Sequence, residues 1–294
     1  MKAMVYTAYG PPEVLQLKEV EKPTPKDNEV LIRIHAASVV YADLAMVRGK
    51  PFVVRLSSGL LKPKHKIPGI DVAGRVEAVG RNVQQFQPGD EVFGDLYESG
   101  FGGFAEHVCA RENALALKPA NVTWEEAAAV PQAALVALQG LRDKGQIRPG
   151  QKVLINGASG GNGTFAVQIA KSFGAEVTGV CGTRNLDMVR SIGADHVIDY
   201  TQEDFTQNEQ RYDLIFDVVA NRSVSEYVRA LSPKGNYVAV PFSAGALFLG
   251  PLISMIGSKK VGQFSHKPRR FGLYERAYRS RQSEACNRSK LPVE

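Results

Sequence analysis

The residues best suited to chemistry lie in one stretch. The apolar run Val153-Leu154-Ile155-Asn156 passes into Gly157-Ala158-Ser159-Gly160-Gly161-Asn162-Gly163 and then into Ala166-Val167-Gln168-Ile169-Ala170-Lys171. A glycine triplet alone says little, but between an apolar strand and a helix it is the setting a dinucleotide pyrophosphate needs. Glycine permits the tight turn and removes Cβ atoms where phosphate must approach the backbone. The start of the helix adds free N–H groups and partial positive charge. Asn156, Gly157, Ser159, Gly160, Gly161, Asn162 and Gly163 are the candidate cofactor-binding residues. The alternative is a glycine-rich strand–helix loop that holds no ligand.

A second position selects the dinucleotide. A site for NAD usually places Asp or Glu about 20 residues further on, at the end of the next strand, against the ribose 2′-hydroxyl. Here that strand ends Val180-Cys181-Gly182-Thr183-Arg184-Asn185, with no acid. A hydroxyl and a guanidinium suit a 2′-phosphate, so NADPH is expected, with Thr183 and Arg184 at the phosphate. The competing reading makes Arg184 a solvated residue that opens the next helix.

Thiol and metal chemistry find no pattern to work with. Cys109, Cys181 and Cys286 are far apart with no CxxC, which excludes a disulfide framework and a Cys-rich zinc site and suits a reducing compartment. The five histidines, at 35, 65, 107, 196 and 266, show no ligand spacing, and no metal is expected.

These residues need a scaffold, and the chain changes style to provide one. Up to about residue 120 it reads as strands, at 30–36 and 72–79, punctuated by Gly10-Pro11-Pro12, Pro68-Gly69 and Pro88-Gly89-Asp90: an irregular β domain with few helices. A helix over 125–141 follows, with Thr123 as N-cap. From Lys152 strands at 152–156, 176–180, 197–199, 214–218 and 237–240 alternate with helices at 161–173, 186–192 and 224–231. That alternation means βαβ units and an α/β domain with a parallel sheet covered on both faces. The 294 residues suit two domains of about 100–200 residues each. No run reaches the ~18 apolar residues of a membrane span, and the N-terminus resembles no targeting segment, so a cytosolic protein is expected. The net charge of +6 raises nucleic acid as a partner. Residues 266–294, however, carry eight basic and three acidic side chains, leaving the body at +1, so no nucleic-acid partner is expected.

The chain resembles the medium-chain dehydrogenase/reductase superfamily, and within it the zinc-independent quinone oxidoreductase branch. The resemblance rests on Gly69-Ile70-Asp71-Val72-Ala73-Gly74-Arg75-Val76, on Pro88-Gly89-Asp90-Glu91-Val92-Phe93-Gly94, and on Gly102-Gly103-Phe104-Ala105-Glu106-His107. The glycine turn, residues 186–195 and Tyr212-Asp213-Leu214-Ile215-Phe216-Asp217 complete it. It implies a GroES-like substrate domain over 1–120, a Rossmann doubly wound domain over 121–268 and an active site between them. Zinc-dependent relatives carry Cys and His where this chain has Val40 and Ile70, neither of which can ligate zinc. The implied chemistry is hydride transfer from NADPH to a quinone or an α,β-unsaturated carbonyl, on a small lipophilic substrate, in a homodimer joined near 260–265. By analogy Tyr41 is the catalytic candidate, as proton donor to the acceptor oxygen or as an aromatic wall of the pocket; both readings stand. The family pattern also sets Tyr200 near the adenosine phosphate, or as an ordinary strand-end aromatic. Phe52, Val53 and Val54, with Leu247, Phe248 and Leu249, line an apolar mouth in one reading and form core or dimer surface in the other. A rival from another class is a crystallin-like protein that holds NADPH without turnover.

The resemblance ends at Lys267-Pro268. Residues 269–294 hold six Arg and keep no period of 3.6 or 2. One permitted coding of this segment, read one base later, gives EDLVFMKELIEAGKVKPVIDRSYPLS without a stop. That string is an amphipathic helix, a glycine stop and a β-branched strand, and it carries the family's GKxxPVID element. The expectation is a one-base insertion near the Pro268 codon, with the C-terminal closing segment of the fold missing or replaced and activity reduced or lost. The alternative is a genuine basic tail.

Overall fold

The fold was obtained as a computed structural model, which describes residues 1–256 and 258–264. The non-family tail at 269–294, with its shifted-frame reading, lies outside the described residues. The Cα packing divides the chain into two units, Met1–Gln132 and Ala133–Lys267.

The first unit is antiparallel. Strands β1 (Lys2–Val5) and β2 (Gln16–Glu19) form a ribbon. Strands β3 (Glu29–Ala37), β4 (Asp71–Val79), β5 (Glu91–Asp95), β6 (His107–Arg111) and β7 (Leu115–Leu117) form a five-stranded sheet in the order β6-β3-β4-β5-β7. The alternation visible at 30–36 and 72–79 puts Val30, Ile32, Val72 and Val76 into one core with Val92, Leu96 and Val108. Two short helices that the strand reading did not foresee, α1 (Tyr41–Arg48) and α2 (Val53–Ser58), join β3 to β4. Helix α1 starts where the Asp43 carboxylate accepts the Val40 N–H at 3.0 Å and stops at Gly49, φ +59. Helix α3 (Trp124–Ala129) follows β7. Its Thr123 cap is as expected: Thr123 Oγ1 accepts the Glu126 N–H and the Glu126 carboxylate accepts the Thr123 N–H.

The single helix expected over 125–141 is broken. Pro131 has no N–H to give the preceding turn, so the chain restarts as α4 (Pro131–Leu138) and ends in a π-turn over Gln139–Lys144.

The second unit is α/β. Strands β8 (Lys152–Asn156), β9 (Glu176–Cys181), β10 (His196–Asp199), β11 (Tyr212–Asp217), β12 (Leu231–Ala239) and β13 (Lys260–Gln263) form one parallel sheet in the order β10-β9-β8-β11-β12-β13. The helices are α5 (Gly161–Ser172), α6 (Leu186–Ser191), α7 (Val224–Ala230), α8 (Ala244–Phe248) and α9 (Gly250–Ile256). The period of two sends Val153, Ile155, Leu214 and Phe216 into one core with Ala166, Val167 and Ala170 of α5. Their neighbours Leu154 and Ile215 enter the opposite core with Tyr227 of α7. Both faces of every central strand are therefore buried, which is why these strands read as continuous apolar runs. The order reverses between β8 and β11, and that switch point is where a ligand crevice opens beyond the carboxyl ends of the strands. No helix among the described residues is long and apolar enough to cross a membrane.

Candidate functional site: a glycine-lined dinucleotide crevice

The glycine turn sits at the switch point. Gly157 has φ +87, a conformation that side-chain-bearing residues avoid, and its N–H and that of Ala158 both donate to Val180 O at 3.1 and 2.9 Å. These two bonds pin the turn to β9. Gly160 N donates back to Gly157 O at 3.1 Å. A Cβ on Gly163 would lie 2.0 Å from Gly157 O, so the helix can approach the turn only with glycine there. At Gly161 a Cβ would meet nothing within 4 Å, and Gly160, the residue preceding α5, offers no side-chain cap. Open space in front of the uncapped first turn of a twelve-residue helix is what a pyrophosphate requires. The residues present fit a dinucleotide. Ser159 and Asn162 are half-buried within the same turn.

The end of β9 forms a second cluster. Gly182 leads into a 3-10 turn over Thr183–Asn185, with Thr183 and Arg184 exposed. Tyr200 is 60 % exposed beside it; a Cβ on Gly182 would stand 3.3 Å from its hydroxyl oxygen. Three of the residues singled out in the sequence, Thr183, Arg184 and Tyr200, thus share one corner. The structure adds a residue the sequence reading missed. β9 ends without an acid, but the parallel register sets Asp199 of β10 opposite Cys181. Thr183 Oγ1 donates to Asp199 Oδ2 at 2.6 Å, while Thr201 donates to Asp199 Oδ1 through its hydroxyl (2.8 Å) and its N–H (2.9 Å). These donors hold the Asp199 carboxyl below the usual carboxylate range. Lining up the last residue of β10 with the last of β9 is the signal that would have found it.

Asn156 differs from its neighbours in the turn. It is 4 % exposed, and its Nδ2 donates to Asp217 Oδ1 at 2.9 Å and to Tyr227 Oη at 3.2 Å. Asp217, fully buried at the end of β11, also accepts the N–H groups of Val219 and Ala220 at 3.0 Å each and the Tyr237 hydroxyl at 2.9 Å. Tyr227 and Tyr237 stack at 4.4 Å. Burial and the nearby Asp217 charge push both phenols far up, so they remain donors. The network fixes the loop after β11, where Ala220 adopts φ +55. A Cβ on Gly157 would strike the Val218 and Val219 side chains at 2.7 Å, so this loop is the wall facing the glycine turn. Asn156 and Asp217 shape the crevice from behind.

In the first unit, Tyr41 is the first residue of α1 and is 75 % exposed. The same unit buries three carboxyl groups, Asp43, Asp71 and Asp95. Asp71 accepts the Gln132 N–H at 3.1 and 3.2 Å and the Ser38 hydroxyl at 3.2 Å. Burial drives the Asp71 carboxyl well up and pushes Asp43 up to about 6, the nearby carboxyl groups adding to both. Ile70 is fully buried, and Phe52 and Leu56 are exposed. No group of three or more His, Cys, Asp or Glu placed to hold a metal occurs among the described residues.

Comparison with known proteins agrees with this layout. The Alcohol dehydrogenase GroES-like domain model matches residues 26–120, and the Zinc-binding dehydrogenase model matches residues 161–264. The chloroplast envelope quinone oxidoreductase homolog of Arabidopsis thaliana is 35 % identical over 88 % of this chain and 80 % of its own length. The chain belongs to the quinone oxidoreductase branch of the medium-chain dehydrogenase/reductase superfamily. The tomato (Solanum lycopersicum) 2-methylene-furan-3-one reductase is 39 % identical over 74 % of this chain, which spans 57 % of that relative. The Escherichia coli quinone oxidoreductase, solved in complex with NADPH, matches with a TM-score of 0.82 at 25 % identity, covering 100 % of this chain and 91 % of that one.

Membership of this branch makes the protein an oxidoreductase with a nicotinamide cofactor. The crevice described above is the part of the fold able to hold that cofactor. Gly160, Gly161 and Asn162 lie at its helix start, and the Thr183–Arg184 turn follows the neighbouring strand β9.

Proposed function

We propose that the protein reduces a quinone or an α,β-unsaturated carbonyl with NADPH. The observation that carries this reading is the corner at the end of β9, where an exposed guanidinium and a hydroxyl stand beside the glycine turn without an acid on β9 itself. Bound there, NADPH supplies a hydride. The chain's own residues do the rest. Gly157, Ser159, Gly160, Gly161, Asn162 and Gly163 hold the pyrophosphate and keep water from it. Arg184 neutralises the 2′-phosphate, and Tyr200 covers the adenosine side. As hydride reaches the conjugated carbon of the acceptor, negative charge gathers on the acceptor oxygen, and Tyr41 Oη donates the proton that quenches it. Val40 and Ile70 provide no metal ligand to polarise that oxygen, so the acceptor must be activated by its own conjugation. The relatives named above act in the same chemical space, a furanone and a quinone. The test is NADPH oxidation with panels of quinones, enones and simple alcohols or ketones. Turnover confined to the first two panels supports the reading; turnover of none, with NADPH still bound, would establish the crystallin-like holding function instead.

The same proposal carries three further elements. The domains are 1–120, 121–268 and the tail. The protein is cytosolic and pairs through β13, the sheet's edge strand, into a homodimer that light scattering would weigh. Residues 269–294 are coded in a shifted frame, a reading supported by the helix–glycine–strand order of the base-shifted string. Sequencing the gene tests it: finding no single-base change near the Pro268 codon that opens this string would end the idea.

A further inference from the structure

We propose that Asp199 limits the preference of this crevice for a 2′-phosphate, so that the protein discriminates NADPH from NADH less sharply than Thr183 and Arg184 alone would. The inference rests on the reading that these two residues face the 2′ position. Its basis is the hydrogen bond from Thr183 Oγ1 to Asp199 Oδ2 at 2.6 Å. An ionised carboxylate only accepts, so the hydroxyl proton of Thr183 points at Asp199. What Thr183 then offers a ligand is oxygen lone pairs. Lone pairs accept from a ribose hydroxyl and repel a phosphate. Asp199 itself is fixed: Thr201 holds its other oxygen from two donors, and the 3.3 Å approach of the Thr183 and Thr201 hydroxyls closes the cluster. A carboxylate so placed also acts through space. Its negative charge opposes a doubly charged phosphate bound beside Thr183, an effect that salt screens. Arg184 opposes it, and the net preference is the difference between the two.

The probes are 2′,5′-ADP and 5′-AMP, which differ only in the 2′-phosphate, bound to the full chain and followed by calorimetry, with NADPH and NADH alongside. Asp199→Asn keeps an oxygen to accept from Thr201 and frees the Thr183 proton. It is expected to raise the ratio of 2′,5′-ADP to 5′-AMP affinity at least about twofold, and more at low salt. Thr183→Val is expected to lower that ratio less than twofold in the natural chain and more than threefold in the Asp199→Asn background, where the hydroxyl can donate. An unchanged or falling ratio in Asp199→Asn overturns the proposal. So does a large loss in Thr183→Val alone, a result that stands even where Asp199→Asn does not fold. Arg184→Ala separates the layers. If it leaves the ratio unchanged, the 2′ site is elsewhere and both readings fall. If it lowers the ratio while Asp199→Asn does not raise it, the role of Asp199 alone is overturned.

Discussion

Tyr41 and Asp43 sit two residues apart on α1 and have opposite fates. Tyr41 is exposed and free to meet a substrate, whereas Asp43 is 2 % exposed and ionises against its surroundings. If Tyr41 donates the proton, Tyr41→Phe lowers kcat at least tenfold and leaves the KM for the acceptor within twofold, because the ring stays. A wall role predicts a change in neither beyond about threefold. For Asp43 the sign is set by burial. Its pKa is pushed up to about 6, above the ordinary value near 3.8. The fold therefore prefers the neutral acid. The stability this confers is complete below about pH 4 and is lost as pH rises through about 6, at ~1.4 kcal/mol for each pH unit that separates the two values. Asp43→Asn keeps the oxygen that accepts from Val40. Its melting temperature is expected to exceed that of the natural chain above pH 7 by several degrees and to converge with it near pH 4. Equal differences at both ends would show that Asp43 does not titrate in this range. None of the three carboxyl groups was legible as a buried group in the sequence. Asp71 and Asp95 lie on apolar strands whose alternation does not announce a buried polar group, and only the packing of β4 against β5 reveals them.

The glycine turn lies where the sequence placed it, between β8 and α5, and Gly157 and Gly163 answer steric demands there while Gly161 answers none. Gly163→Ala would force a methyl group to 2.0 Å from Gly157 O. It should cost at least ~2 kcal/mol in stability and abolish measurable NADPH binding. Gly161→Ala, where a methyl meets nothing, should leave stability unchanged or raise it by up to ~1 kcal/mol, yet weaken NADPH about tenfold by filling the pyrophosphate space. Urea titration and NADPH fluorescence measured on both variants separate a role in packing from a role in binding. Other elements were legible only in part. The Thr123 cap and the strands of the second unit follow from local rules, but the break at Pro131 is masked by the run of Ala and Leu around it. Helix α1 is short enough that Asp43 in its first turn and Gly49 at its end decide it more than any periodicity does. Asp199 is hidden in the sequence because its partner Thr183 is a strand away, and only parallel register joins them.

At the scale of the whole molecule, the +6 charge divides into a nearly neutral body and a basic tail, so the charge says little about the partner of the enzyme. If the tail is out of frame, restoring EDLVFMKELIEAGKVKPVIDRSYPLS after Pro268 adds an amphipathic helix and a strand that can bury several apolar side chains at ~1.5–3 kcal/mol each. The restored chain should melt at least ~5 °C higher. An equal or lower melting temperature would favour a genuine tail. The central claim, hydride transfer from NADPH to a conjugated carbonyl, is tested most directly by following the label. NADPH deuterated at C4, in each of its two stereoisomers, is incubated with a small enone and the natural or frame-restored chain, and the product is weighed by mass spectrometry. The prediction is one deuterium at the β-carbon of the saturated ketone from one stereoisomer and none from the other. Product without deuterium from either isomer, or no product from either form of the chain with any quinone or enone, would contradict it.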